Sequence, residues 1–81
     1  MRHAKPEDLI QISDLLASVR RITNIKERTP CHFYFKGVNV LHFHIDGERL
    51  FADVGTMRID VSKENGETVL RAVLDLVSEI K

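Results

Sequence analysis

Eighty-one residues, 43% of them hydrophobic and 30% charged, suffice for one folded domain and exclude a disordered tail. Twelve basic side chains balance twelve acidic ones, so no bulk field draws the chain to nucleic acid or to an anionic membrane. A single cysteine, Cys31, excludes an internal disulfide framework.

A lone thiol suits a reducing compartment. No apolar stretch approaches the ~20 residues of a membrane span, and the basic start lacks the apolar run of a secretory leader. A cytoplasmic location is therefore expected. So small a core leaves a thin stability margin, which association into a homodimer would widen.

The first predicted element is a helix over about residues 6–22. Pro6 sits near its first position, where the missing N–H costs nothing, and Glu7 and Asp8 suit the positive end of the helix dipole. Leu9, Ile12, Leu16 and Val19, flanked by Leu15 and Ile22, form one apolar stripe. Pro30 pushes Thr29 into an extended conformation, so the helix ends before it. Residues 23–30, with Lys26 and Arg28, read as a solvated linker.

Strands are predicted over about residues 31–36, 40–45, 48–54 and 57–61, joined by three turn signals. A three-residue loop at Gly37–Asn39 would pair Phe35 with Leu41, Phe33 with Phe43 and Cys31 with Ile45. An Asp46-Gly47 loop would pair Phe43 with Leu50, and a Gly55-Thr56 loop would pair Val54 with Met57 and Ala52 with Ile59. All three registers put apolar residues on one face: Cys31, Phe33, Phe35, Leu41, Phe43, Ile45, Leu50, Ala52, Val54, Met57, Ile59 and Val61. A second amphipathic helix follows over about 66–80, with Val69, Val73, Leu76 or Val77, and Ile80 on one side, and Ser62 or Asn65 as its cap.

Two amphipathic helices and one apolar sheet face predict an α+β two-layer sandwich in the order α-β-β-β-β-α, a four-stranded antiparallel meander with both helices on one face. The layer plan resembles that of frataxin-like proteins, although the first helix is not the predominantly acidic one expected of an iron-handling member.

The opposite face gathers the polar and aromatic residues. In these registers His32 opposes His44, which opposes Arg49; Tyr34, His42, Phe51 and Asp60 form a second row; Lys36, Val40, Asp53 and Arg58 form a third. Tyr34, His42 and Phe51, bordered by His32, His44 and Arg49, read as an interaction surface with a polar rim. On that reading the protein is a non-enzymatic binding or assembly module acting through its outer sheet face, as a homodimer or with another protein.

The alternative is a metal site of His32, His42 and His44. Two histidines at i and i+2 on one strand and a third beside them can give zinc three nitrogen ligands. The nearest acids, Asp46 and Asp53, then lie a turn or a row away, leaving the imidazoles without carboxylate support. A second alternative stacks single-stranded nucleic acid on Tyr34 and Phe51 beside Lys36, Arg49 and Arg58, but Asp53 and Asp60 share the face and no recognition motif accompanies it. No catalytic set is assignable. Cys31 and His32 are adjacent on a strand, point to opposite faces, and cannot pair as thiolate and imidazole.

Overall fold

The computed structural model describes residues 2–62 and 64–80. Its elements in chain order are strand β1 (Arg2–His3), a 3-10 helix (Pro6–Ile12), helix α1 (Ser13–Arg20), strands β2 (Ile25–Thr29), β3 (His32–Phe35), β4 (Val38–Asp46), β5 (Arg49–Val54) and β6 (Met57–Asp60), and helix α2 (Gly66–Ile80). Strands β2 to β6 form an antiparallel meander, and β1 pairs with β4. The four predicted strands are all present, within a sheet that gains one strand before them and a short one at the start of the chain.

The first helix starts at Pro6 as expected, but its initial seven residues are 3-10 and its α-helical part stops at Arg20, short of the predicted 22. Residues three apart eclipse one another in a 3-10 helix, so Leu9 and Ile12 still fall on one side and continue into Leu15, Leu16 and Val19, all buried. The Asp8 carboxylate accepts the Lys5 amide at 2.8 Å and caps the start. Asn24 takes a left-handed conformation at φ 68°, which asparagine tolerates better than most residues, and turns the chain back into β2.

Strand β2 replaces the predicted linker. It has one apolar residue, Ile25, so periodicity could not reveal it, yet its pairing is regular: Ile25 opposes Phe35 and Glu27 opposes Phe33. Glu27 therefore faces the helices, where it accepts from Arg20 at 2.8 and 3.0 Å and from the Cys31 amide at 2.7 Å. Charges on an edge strand discourage pairing with another chain. Cys31 itself lies in the β2–β3 turn at φ 67°, buried, rather than within a strand.

Two of the three hairpin registers differ from expectation. Lys36 and Gly37, both left-handed at φ 51° and 81°, make a two-residue turn that pairs Phe35 with Val38 and Tyr34 with Asn39. The ladder then slips so that Phe33 opposes Leu41, leaving Val40 as the extra residue of a β-bulge. Val40, assigned to the outer row from sequence, is fully buried in the core. At the next turn Asp46 pairs with Arg49 around Gly47 and Glu48, two steps from the expected register. A shift of two preserves facing, so Phe43 opposes Ala52 and Ile45 opposes Leu50, all toward the helices. The last hairpin forms as expected, with Val54 opposite Met57 and Ala52 opposite Ile59. Met57 is exposed, since its strand is the sheet edge.

The core lies between this face and the two helices. Phe33, Phe35 and Phe43 are fully buried there with Val69 and Val73 of α2, each large side chain worth roughly 1.5–3 kcal/mol on burial. Val77 completes the buried stripe of α2 while Leu76 packs at its margin. Asn65 precedes α2 and ties it to the sheet, accepting the Ser62 amide at 2.8 Å and donating to the Asp60 carbonyl at 2.7 Å. Among the described residues no helix is long and apolar enough to cross a membrane.

Strand β1 takes the edge of β4 that β3 leaves free. Arg2 opposes Ile45, His3 opposes His44, and the Ala4 amide donates to the Phe43 carbonyl at 3.1 Å. Its anchor is electrostatic: Arg2 donates to both oxygens of Asp8 at 2.8 and 3.2 Å. Together with the Lys5 amide, Arg2 draws the Asp8 carboxyl down to about 2.

Candidate metal centre on the outer sheet face

Alternation along β4 sends His42 and His44 to the face away from the helices. The observed register sets Asp53 of β5 directly across from His42, and Arg58 of β6 across from Asp53. The Asp53 Oδ2 oxygen lies 3.2 Å from His42 Nε2 and 3.0 Å from His44 Nε2. One ligand atom from each of His42, His44 and Asp53 falls within 4.8 Å of the other two. Four ligands on a tetrahedral zinc, at about 2.0–2.1 Å each, stand about 3.4 Å from one another, so the two carboxylate–imidazole distances are close to those of a loaded site.

The surroundings hold these groups in place. His42 Nδ1 lies 2.9 Å from Asn39 Oδ1. A proton on Nδ1 would be donated to Asn39 and leave the Nε2 lone pair facing Asp53 Oδ2 for a cation to join, whereas a proton on Nε2 would be donated to Asp53 itself. That is the outer support a ligating imidazole uses to fix its tautomer. Asp53 is gripped in turn by Arg58, whose Nε and Nη2 donate at 2.7 and 3.0 Å. Arg58 foremost, helped by His42 and His44, holds the Asp53 carboxyl below the usual carboxylate range.

Burial lowers His42 below the ordinary histidine value, with Asp53 pulling the other way and the neighbouring imidazoles reinforcing the drop. His32 is lowered too, by burial and then by His3 and His44. Both therefore favour the neutral, ligating form at neutral pH. The His44 side chain is 14% exposed and that of Asp53 12%, low for polar groups on a single-layer sheet face.

The three histidines predicted to converge do so, in a different order. His32 neighbours His42, their rings parallel within 11° at a centroid distance of 5.9 Å, and does not oppose His44. His44 opposes Phe51 rather than Arg49, and His42 opposes Asp53 rather than Phe51. Arg49 instead pairs with Asp60 and lies 5.4 Å from the Phe51 ring centroid. Arg28 covers Tyr34 in the same way at 5.1 Å. Tyr34 sits beside Asn39 and Lys26, at the far side of the bulge from Phe51. The two rings thus form no shared stacking platform.

Sequence reasoning missed three members of the cluster. Asp53 was displaced by the register error, and Asn39 was assigned to a loop. His3 lay outside any periodic stretch; its ring centroid is 4.7 Å from that of His44 and 5.4 Å from that of His32. All four histidines of the chain meet on this patch. Comparison with protein-family models, with curated proteins and with solved structures found no match to this chain.

Proposed function

We propose that this is a small binding protein for a divalent transition metal of the zinc class, held on the outer sheet face by His42, His44 and Asp53. The observation that carries the reading is the convergence of two imidazole nitrogens on one carboxylate oxygen, at 3.2 and 3.0 Å. A majority of nitrogen donors favours zinc, nickel or copper over calcium and magnesium, which take oxygen. Cys31 is a turn residue buried away from this face and adds no thiolate. The donor set differs from the three histidines expected from sequence in that Asp53 takes the place of His32.

The assembly reading of the same face has less support. A homodimer or partner contact centred on Tyr34 and Phe51 would have to displace guanidinium groups from both rings. Nucleic-acid stacking meets the same obstacle. A cytoplasmic setting remains part of the proposal through the lone thiol.

Calorimetric titration and thermal melting of protein without a polyhistidine tag test the reading. Zinc or nickel should bind saturably at one ion per chain and raise the melting temperature by ligand linkage, EDTA should reverse the gain, and calcium should do neither. His44→Ala should abolish the effect. Absence of saturable binding in the unaltered protein would sink it.

A further inference from the structure

Resting on the metal-binding reading, we infer that His3 is the closing ligand of the site, so that a bound ion fastens the N-terminal strand to the sheet. Three neighbouring ligands leave a fourth tetrahedral position to be filled, by water in an open site or by protein in a closed one. Which residue stands nearest to that position can be judged from the rings. Two imidazoles on one tetrahedral ion have centroids about 5.2 Å apart. His42 and His44 are at 4.8 Å and His3 and His44 at 4.7 Å, both within about half an ångström of that figure. His3 and His42 are at 6.3 Å, outside the spacing that His42, His44 and Asp53 share, so the His3 imidazole has to swing inward to complete the set.

His32 fits less well. Its ring lies 5.9 Å from that of His42 but, among the described residues, makes no ring contact with His44, whereas His3 neighbours both. His3 is also free to move: its side chain is exposed, and among the described residues its ring has no hydrogen-bond partner. Its backbone, by contrast, is fixed on both sides. Arg2 is bound to Asp8, and the Ala4 amide is bound to Phe43. The chain therefore holds the His3 backbone opposite His44 while leaving its imidazole to turn.

The donor set becomes three nitrogens and one oxygen, without an open position. Such a site suits a structural or sensing ion better than a catalytic one, since no coordination place remains for substrate or water. Its occupancy would be transmitted to strand β1 (Arg2–His3) and to the Ala4 amide bound beside it.

Three variants and three readouts test this, using full-length, tag-free protein and zinc or cobalt alone as the probe. His3→Ala should weaken zinc by about tenfold or more, and should turn the intense visible spectrum of four-coordinate cobalt into the weaker one of a hydrated site. His3→Gln should do the same, and His32→Ala should leave both readouts near those of the unaltered protein. Amide exchange at Ala4 should slow when zinc is added to the unaltered protein and stay unchanged in His3→Ala. His3 lies on an exposed terminal strand, so these substitutions leave the core intact. Full zinc affinity and unaltered cobalt spectrum in His3→Ala would overturn the inference while leaving the metal site standing, as would the loss appearing in His32→Ala instead. No binding by the unaltered protein would overturn both.

Discussion

Arg58 grips Asp53 through both carboxylate oxygens, at 2.7 and 3.0 Å, from the neighbouring strand. The same carboxylate faces His42 and His44, so the guanidinium both orients a ligand and sets a positive charge beside the place where a cation would bind. A unit charge a few ångströms from a divalent ion costs on the order of 1 kcal/mol even in a water-like dielectric. Arg58→Gln keeps an amide donor for Asp53 and removes the charge. It should tighten zinc by roughly three- to tenfold at low salt, with the gain shrinking as salt screens the charge. Titration calorimetry at two ionic strengths checks both halves; weaker binding in the variant would show that orientation outweighs repulsion.

Asn39 acts on the site through His42 Nδ1, 2.9 Å away. Removing a group that fixes a ligand's tautomer typically costs about 10–100-fold in metal affinity. Asn39→Ala should weaken zinc by about tenfold with little change in melting temperature of the metal-free protein, while Asn39→Asp should restore binding, a carboxylate being the stronger acceptor. Equal affinities in all three proteins would remove Asn39 from the site.

The bulge in β4 can be tested by stability. Val40 is 0% exposed and Val38 45% exposed. Val40→Ala should cost about 2 kcal/mol in urea unfolding, whereas Val38→Ala should fall within about 0.5 kcal/mol of the unaltered protein. The register expected from sequence has Val40 on the outer face and would give it a small effect instead.

Acid stability should depend on Glu27. Its carboxylate receives two bonds from Arg20 and one from the Cys31 amide, which lower it from an ordinary 4.5. A carboxyl whose folded pKa lies below its unfolded one contributes stability that is complete above the unfolded value and vanishes as pH falls through the folded value. Glu27→Gln should therefore cost about 1 kcal/mol at pH 7. The gap between the two proteins should close as the pH drops below 4.5. Denaturant midpoints at pH 7, 4.5 and 3 measure it; a gap constant over that range would exclude the ion pair as its source.

What the sequence disclosed about this fold follows from which signals have a period. The apolar face of the sheet was legible because side chains alternate every two residues, so the two-step error at Asp46-Gly47 left Phe43, Ile45, Leu50 and Ala52 facing the helices. The stripe from Leu9 to Val19 was legible because spacings of three and four serve both helix types. Strand β2 was not, because Ile25 alone marks it and Glu27 takes an inward position as half of an ion pair. Pairing partners depend on where the turn falls, and Gly47 stands first in the turn that forms rather than second as expected. That displacement moved Asp53 away from His42 and cost the site its carboxylate. His3 was invisible for a simpler reason: two residues are too few to show any period, and the Arg2–Asp8 pair that returns the start of the chain to the sheet is a contact that only the fold reveals.

The extra residue in β4 has an effect that reaches beyond core packing. In an unbroken strand, positions three apart project to opposite sides, and Asn39 could never touch His42. The slip at Val40 advances the alternation by one, so the segment on the hairpin side of it runs out of phase with the segment carrying the histidines. It works as a phase shifter, letting one strand use both parities to furnish a single face. Regular pairing that kept Val40 but left no residue over would instead carry the Asn39 amide through to the helix side, parting it from His42 without altering either residue.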